Sequence, residues 1–179
     1  MKIRTGFVSN SSSSSFIIAL PHKPESVEDV REILFGKQEW HYNHLAYNDE
    51  PKDVSTQEIA EKVFKKIEKK ATIKEMVESM ACGWFTGWYG LPGRYDRDYD
   101  PNCERVDAKD PERMKKLEKQ WVDEEKENKK RAGKIVDAFR QMNKDKYFVV
   151  MSFSDNDGEA VEEHSGIFER VESIQTSYH

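Results

Sequence analysis

The chain has only two cysteines, Cys82 and Cys103, in 179 residues. They are too few to build a structural zinc site by themselves, and they fit reduced thiols in a cytosolic protein. Long apolar runs are also missing. The stretch Phe16 to Leu20 is too short to span a bilayer or to form the core of a secretion signal, so a cytoplasmic location without membrane association is expected. Positive charge is not in excess: the net charge is -5 and the isoelectric point is near 5.6, which argues against a dedicated nucleic-acid binder. No phosphate-binding loop, dinucleotide fingerprint, nucleophile elbow or paired CxxC is present, so no sequence motif names a reaction.

The chain does have a polar composition, with 35% charged and 36% hydrophobic residues, over a length that suits one domain with a real core. It also has five consecutive serines, Ser11, Ser12, Ser13, Ser14 and Ser15, that run directly into Phe16-Ile17-Ile18-Ala19-Leu20. A free serine tract is a flexible linker, but β-branched and aromatic residues immediately after it favour a strand. The first strand is therefore expected to begin at the end of the serine run. The serines themselves read either as an N-terminal arm or as a polar loop whose hydroxyls and N–H groups line a ligand site.

The segment GFVSNSSSSSF resembles the N-terminal signature of a scattered set of uncharacterised bacteriophage and bacterial proteins. Members of that set often end in a segment similar to the one here, namely Ser154-Asp155-Asn156-Asp157-Gly158-Glu159, Glu163-His164, Gly166-Ile167-Phe168 and Ser177-Tyr178-His179. The likeness covers about the first 20 and the last 35 residues. It implies a phage-related origin and a host-cytoplasmic setting, and it implies no reaction.

Along the chain, Ser26 reads as the N-cap of a helix at about 26–35, with Glu28 and Asp29 in its first turn and Gly36 as its stop. The aromatic stretch Trp40 to Tyr47 carries His41 and His44, which read as packing histidines. Ser55-Thr56-Gln57-Glu58 has a capping-box pattern and opens a helix at about 55–70, and another helix begins near Thr72. Residues 83–109 form a glycine-rich loop bearing Trp84, Phe85, Trp88, Tyr89 and Tyr95. A long helix follows at 110–142, apolar at both ends and charged in the middle, which either crosses solvent or bends into a hairpin near Asn128. Tyr147 to Ser154 is the strongest strand. Asp155 to Gly158 reads as a hairpin turn, residues 159–163 as the return strand, and residues 174–178 as the last strand.

These elements predict a single α+β domain, 1–179, with a small, mainly antiparallel sheet of about four strands. The sheet combines the N-terminal strand with a C-terminal hairpin and the last strand, and the helices lie on one side. The loop and the long helix read as a protruding insertion. Two sets of residues can carry function. Trp84, Phe85, Trp88, Tyr89 and Tyr95 offer aromatic area for a partner protein at low entropy cost. Asp155, Asp157, Glu159, Glu163, His164 and His179 combine carboxylates with imidazoles, a set suited to a metal or to acid–base chemistry, with the serine loop close by if the first and strongest strands are neighbours. The Asp155 to Gly158 turn is no calcium loop, because Phe153 and His164 stand where its first and closing ligands belong. The leading expectation is a phage-related accessory protein that binds a host protein or a small ligand. The alternatives are a small metal- or phosphate-dependent enzyme built on Glu163, His164, His179 and the serine loop, and a phage assembly component. No particular cofactor is indicated.

Overall fold

Successive side chains on an extended strand point to opposite faces, so the five apolar residues Phe16 to Leu20 stay dry only if the strand is covered on both sides. The computed structural model describes residues 13–43, 53–67, 69–82, 111–154, 159, 161–162 and 166–178, and it shows this double cover. The elements are β1 (Ser13–Leu20), α1 (Val27–Phe35), β2 (Trp40–Tyr42), β3 (Asp53–Ser55), α2 (Thr56–Lys66), α3 (Ile73–Cys82), α4 (Pro111–Met142), β4 (Tyr147–Ser154) and β5 (Glu172–Tyr178). The chain is thus α+β, with β1 at the centre of an antiparallel sheet of order β4-β1-β5 and a separate antiparallel ribbon of β2 and β3.

One face of β1 presents Phe16, Ile18 and Leu20, joined by Val149, Met151 and Phe153 of β4. Against it pack Val30, Leu34 and Phe35 of α1, Ile59, Ala60 and Val63 of α2, and the segment bearing Ile167 and Phe168. The other face presents Ile17 and Ala19 with Phe148 and Ile174, covered by Met76 and Met80 of α3 and by Ala132, Val136 and Phe139 of α4. Fully burying one such large side chain stabilises by about 1.5–3 kcal/mol, so these two clusters outweigh any surface ion pair in holding the fold.

The expected class and antiparallel character hold, and three particulars differ. Helices cover both faces of the sheet rather than one, because the unbroken apolar run of β1 needs a partner on each side. At its described positions the return strand expected over 159–163 does not form: Glu159 lies outside any strand, and Val161 and Glu162 are helical. The inner edge of β4 is already occupied by β1, and the Glu159 N–H donates to the Ser154 carbonyl at 3.2 Å, turning the chain away. β5 instead pairs with the far edge of β1, so β4 and β5 run the same way and the chain between them crosses over the Phe16 face. Third, β1 starts at Ser13, inside the serine run rather than after it.

Local signals explain both ends of α1 and the start of α3. The Asp29 N–H donates to the Ser26 hydroxyl at 3.1 Å, as expected for an N-cap. Gly36 ends α1 with φ +62, and any side chain there would meet the Arg170 guanidinium. The capping box expected at Ser55 is not made, since no side chain caps α2 at that residue. It forms instead at the start of α3, where the Thr72 N–H donates to Glu75 at 2.8 Å and the Glu75 N–H donates to the Thr72 hydroxyl at 3.2 Å. α4 is one continuous helix of 32 residues, so the hairpin near Asn128 does not occur.

Candidate functional site

The short ribbon of β2 and β3 sets out a surface by simple alternation. His41 and Val54 are directly opposite each other and face inward: the His41 ring lies 5.5 Å from that of Phe35, and Val54 packs on the core. His41 is thus a packing histidine, as expected. Trp40 and Tyr42 must then point outward, and they are 59% and 52% exposed. Their cross-strand partners on the same outward face are Ser55 and Asp53. The two aromatic residues stand about 7 Å apart along the strand.

This ribbon is held firmly at the entry to α2. Buried Thr56 donates its hydroxyl to the Gln38 carbonyl at 2.8 Å and to the Glu39 carbonyl at 3.1 Å, and its N–H also reaches Glu39 O at 3.0 Å. In the described stretches 36–43 and 53–58 the charged residues are Lys37, Glu39, Asp53 and Glu58, and the Arg31 guanidinium donates to the Gln38 carbonyl at 3.4 Å beside them. Trp40 and Tyr42 thus offer exposed aromatic area on one face of a ribbon whose backbone is tied to α2.

The serine run has a different environment. Ser14 and Ser15 are buried within β1. Ser152, Ser15 and Thr176 align across the three strands. The Ser15 and Ser152 hydroxyls share a hydrogen bond of 2.6 Å, and the Thr176 hydroxyl donates to the Ser15 carbonyl at 3.3 Å. Gln175 donates to the Ser14 hydroxyl at 3.3 Å. At this end of the sheet buried Ser14, Ser15 and Thr176 are satisfied by the Gln175 amide, by the exposed Ser152 hydroxyl and by the Ser15 carbonyl in turn, which is how polar groups stay buried.

The outer edge of β4 is guarded. The Ala71 N–H donates to Phe148 O at 2.8 Å, the Lys66 ammonium donates to Ser152 O at 2.8 Å, and Glu159 accepts from the Ser154 N–H at 3.3 Å. Between these contacts lies a hollow of about 500 Å³ lined by Lys65, Lys66, Lys69, Glu75, Val150 and Ser152, among others. Its cations are largely engaged: Lys66 pairs with Glu159 and Lys69 with Glu75, both at 2.8 Å. The Lys69 ammonium is the first cause, and the Thr72 N–H and hydroxyl the next, that hold the Glu75 carboxyl down at about 2 from its ordinary 4.5. We read this set as cover for an edge strand that would otherwise pair with another chain.

Ser11, Ser12, Trp84, Phe85, Trp88, Tyr89, Tyr95, Asp155, Asp157, Glu163, His164 and His179 lie outside the described residues. Among the described residues no group of three or more His, Cys, Asp or Glu is arranged to hold a metal ion, and no helix is long and apolar enough to cross a membrane. Sequence reasoning missed the outward pair Trp40 and Tyr42. The signal that could have found it is the i, i+2 spacing of the two rings around an inward histidine.

No family model, no curated protein and no solved structure matches the chain. The functional reading therefore rests on the residues and their geometry.

Proposed function

We propose that the protein acts by binding a partner protein, and that the β2–β3 ribbon is its contact surface. The observation that carries this is the exposure of Trp40 and Tyr42, side by side on one face of a ribbon that Thr56 pins to α2. Large aromatic side chains at the centre of an interface contribute more to affinity than any other residue type except arginine. A surface whose backbone is already fixed loses little further freedom on binding. In the phage-related setting that the N-terminal resemblance implies, this is an accessory factor directed at a bacterial host protein. The test is a photo-crosslinking amino acid placed at position 40 in the full chain, expressed in bacterial cells. A discrete cross-linked partner at position 40, absent when the same group replaces exposed Met142, supports the reading. Equal cross-linking from both positions, or none from position 40, contradicts it.

A further inference from the structure

The cover on the outer edge of β4 is not continuous. The N–H and C=O groups of successive strand residues face the two edges in turn, so the bonds already made fix which residues face outward. Phe148 O accepts from the Ala71 N–H, Ser152 O accepts from the Lys66 ammonium, and the Ser154 N–H donates to Glu159. Val150 has the same parity, so its N–H and C=O face outward, as does the Ser152 N–H. No other described residue bonds to these three groups. They border the hollow of about 500 Å³ that Lys65, Lys69, Glu75 and Glu78 also line. The chain at Ala71 closes one end of this gap, and Lys66 with Glu159 closes the other. The stretch between the Phe148 and Ser152 carbonyls is about 13 Å long, which holds roughly three residues of an extended chain.

A donor and an acceptor side by side on a strand edge are what an extended backbone pairs with. A free anion fits poorly, because the Val150 carbonyl and the carboxylates of Glu75 and Glu78 border the same space. Charge is sorted by the two sides of the sheet. From α2, on the Phe16 side, comes exposed Lys65, which makes no ion pair with another described residue. From α3, on the Ile17 side, comes Glu78, whose only described ion pair is the exposed one with Lys74 at 3.8 Å. Side chains of an added strand alternate between these two sides. We infer that the hollow receives a short extended segment of a partner protein, paired to Val150 through its backbone, with an acidic side chain towards Lys65 and an adjacent basic side chain towards Glu78. A second copy of this chain fits less well. Two β4 edges joined antiparallel about a two-fold axis would set lysines beside lysines and glutamates beside glutamates. The site is separate from the β2–β3 ribbon and does not depend on it.

The experiment uses the full chain labelled with ¹⁵N and synthetic hexapeptides blocked at both ends. The first, Thr-Thr-Glu-Lys-Thr-Thr, carries its charges on adjacent residues and therefore on opposite sides of a strand. The second, Thr-Glu-Thr-Lys-Thr-Thr, has the same composition with both charges on one side. Two further forms of the first are N-methylated at alternate residues, one in each phase. The readout is the backbone N–H signals of Val150 and Ser152. The first peptide is expected to shift them saturably. The second should bind about two- to fivefold more weakly, and Lys65→Ser should weaken the first by a similar factor. One N-methylated form should bind about tenfold more weakly than the other, because only one edge of the added strand faces β4. No saturable shift with the first peptide, equal binding of the two unmethylated peptides, or equal binding of the two methylated forms overturns the inference. Shifts of the same signals on raising the protein concentration without peptide assign the edge to a second copy and overturn it as well.

Discussion

The Lys62 ammonium reaches the Glu162 carboxylate at 2.9 Å, and the two ends of this pair differ sharply: the glutamate side chain is fully buried while the lysine is 45% exposed. Among the described residues Lys62 is the cation that meets this buried charge. The pair ties α2 to the crossover between β4 and β5. Removing one partner of such a pair costs more than removing both, because a lone buried carboxylate is left uncompensated. Lys62→Met is expected to destabilise the protein by about 1–3 kcal/mol, reduced from a fully buried case by the exposure of the lysine. The double variant Lys62→Met, Glu162→Leu should recover at least half of that loss. Urea denaturation of the three proteins checks this, and a double variant less stable than Lys62→Met contradicts the account.

Acid stability should carry the mark of Glu75. Its carboxyl is held at about 2 in the folded protein against an ordinary 4.5, through Lys69 first and then through Thr72. A carboxylate with a lowered folded-state value stabilises fully above its unfolded value, and that contribution fades as pH falls through the folded one. The difference in urea midpoint between wild type and Glu75→Gln should therefore be constant above about pH 5. It should shrink from about pH 4.5 downward and approach zero near pH 2. A difference that does not change with pH would show that the Glu75 carboxyl titrates alike in the folded and unfolded chain, and would contradict the account.

Two glycines should respond in opposite directions. Gly36 adopts φ +62, and a side chain there would meet the Arg170 guanidinium, so Gly36→Ala should destabilise by about 1–2 kcal/mol. Gly133 lies inside α4 with nothing within 4 Å of where a Cβ would sit. Gly133→Ala should therefore stabilise by about 0.5–1 kcal/mol through helix propensity. Thermal unfolding of the two variants would separate them by several degrees in Tm.

The buried serines make a further distinction. If the Ser152, Ser15 and Thr176 ladder serves packing, Ser15→Ala should cost about 0.5–1.5 kcal/mol, the worth of one hydrogen bond. Ser15→Val should be tolerated less well, because Ser15 is already almost wholly enclosed. Unchanged stability for both variants would remove the structural role assigned to the ladder.

The strong apolar runs were legible from the residues alone. Phe16 to Leu20 and Tyr147 to Met151 could hardly be anything but buried strands, and Ser26 with Asp29 marks a helix start plainly. The double-sided cover was less plain: local pattern shows that a strand is dry on both faces but does not show which helices lie on which face. The order β4-β1-β5 was hidden for a similar reason. A polar turn after β4 suggests a local return, whereas the pairing that forms is to a strand far away in sequence. Capping was misplaced by one helix. Ser55 and Glu58 have the right types and spacing, but α2 enters from a strand whose tie is made by Thr56 instead, and the reciprocal bonds appear between Thr72 and Glu75. The ribbon escaped notice because β2 and β3 have three residues each, too few for alternation to stand out.

The central claim is that Trp40 and Tyr42 form the contact surface for a partner protein. The most direct test measures which proteins from a bacterial lysate are retained by the immobilised full chain and by the double variant Trp40→Ser, Tyr42→Ser, after thermal unfolding has shown that the variant is folded. Both side chains are more than half exposed, so the substitution should leave stability within about 0.5 kcal/mol. The account predicts a defined protein retained by the wild type and lost at least tenfold by the variant. The same protein retained equally by the folded variant would contradict it.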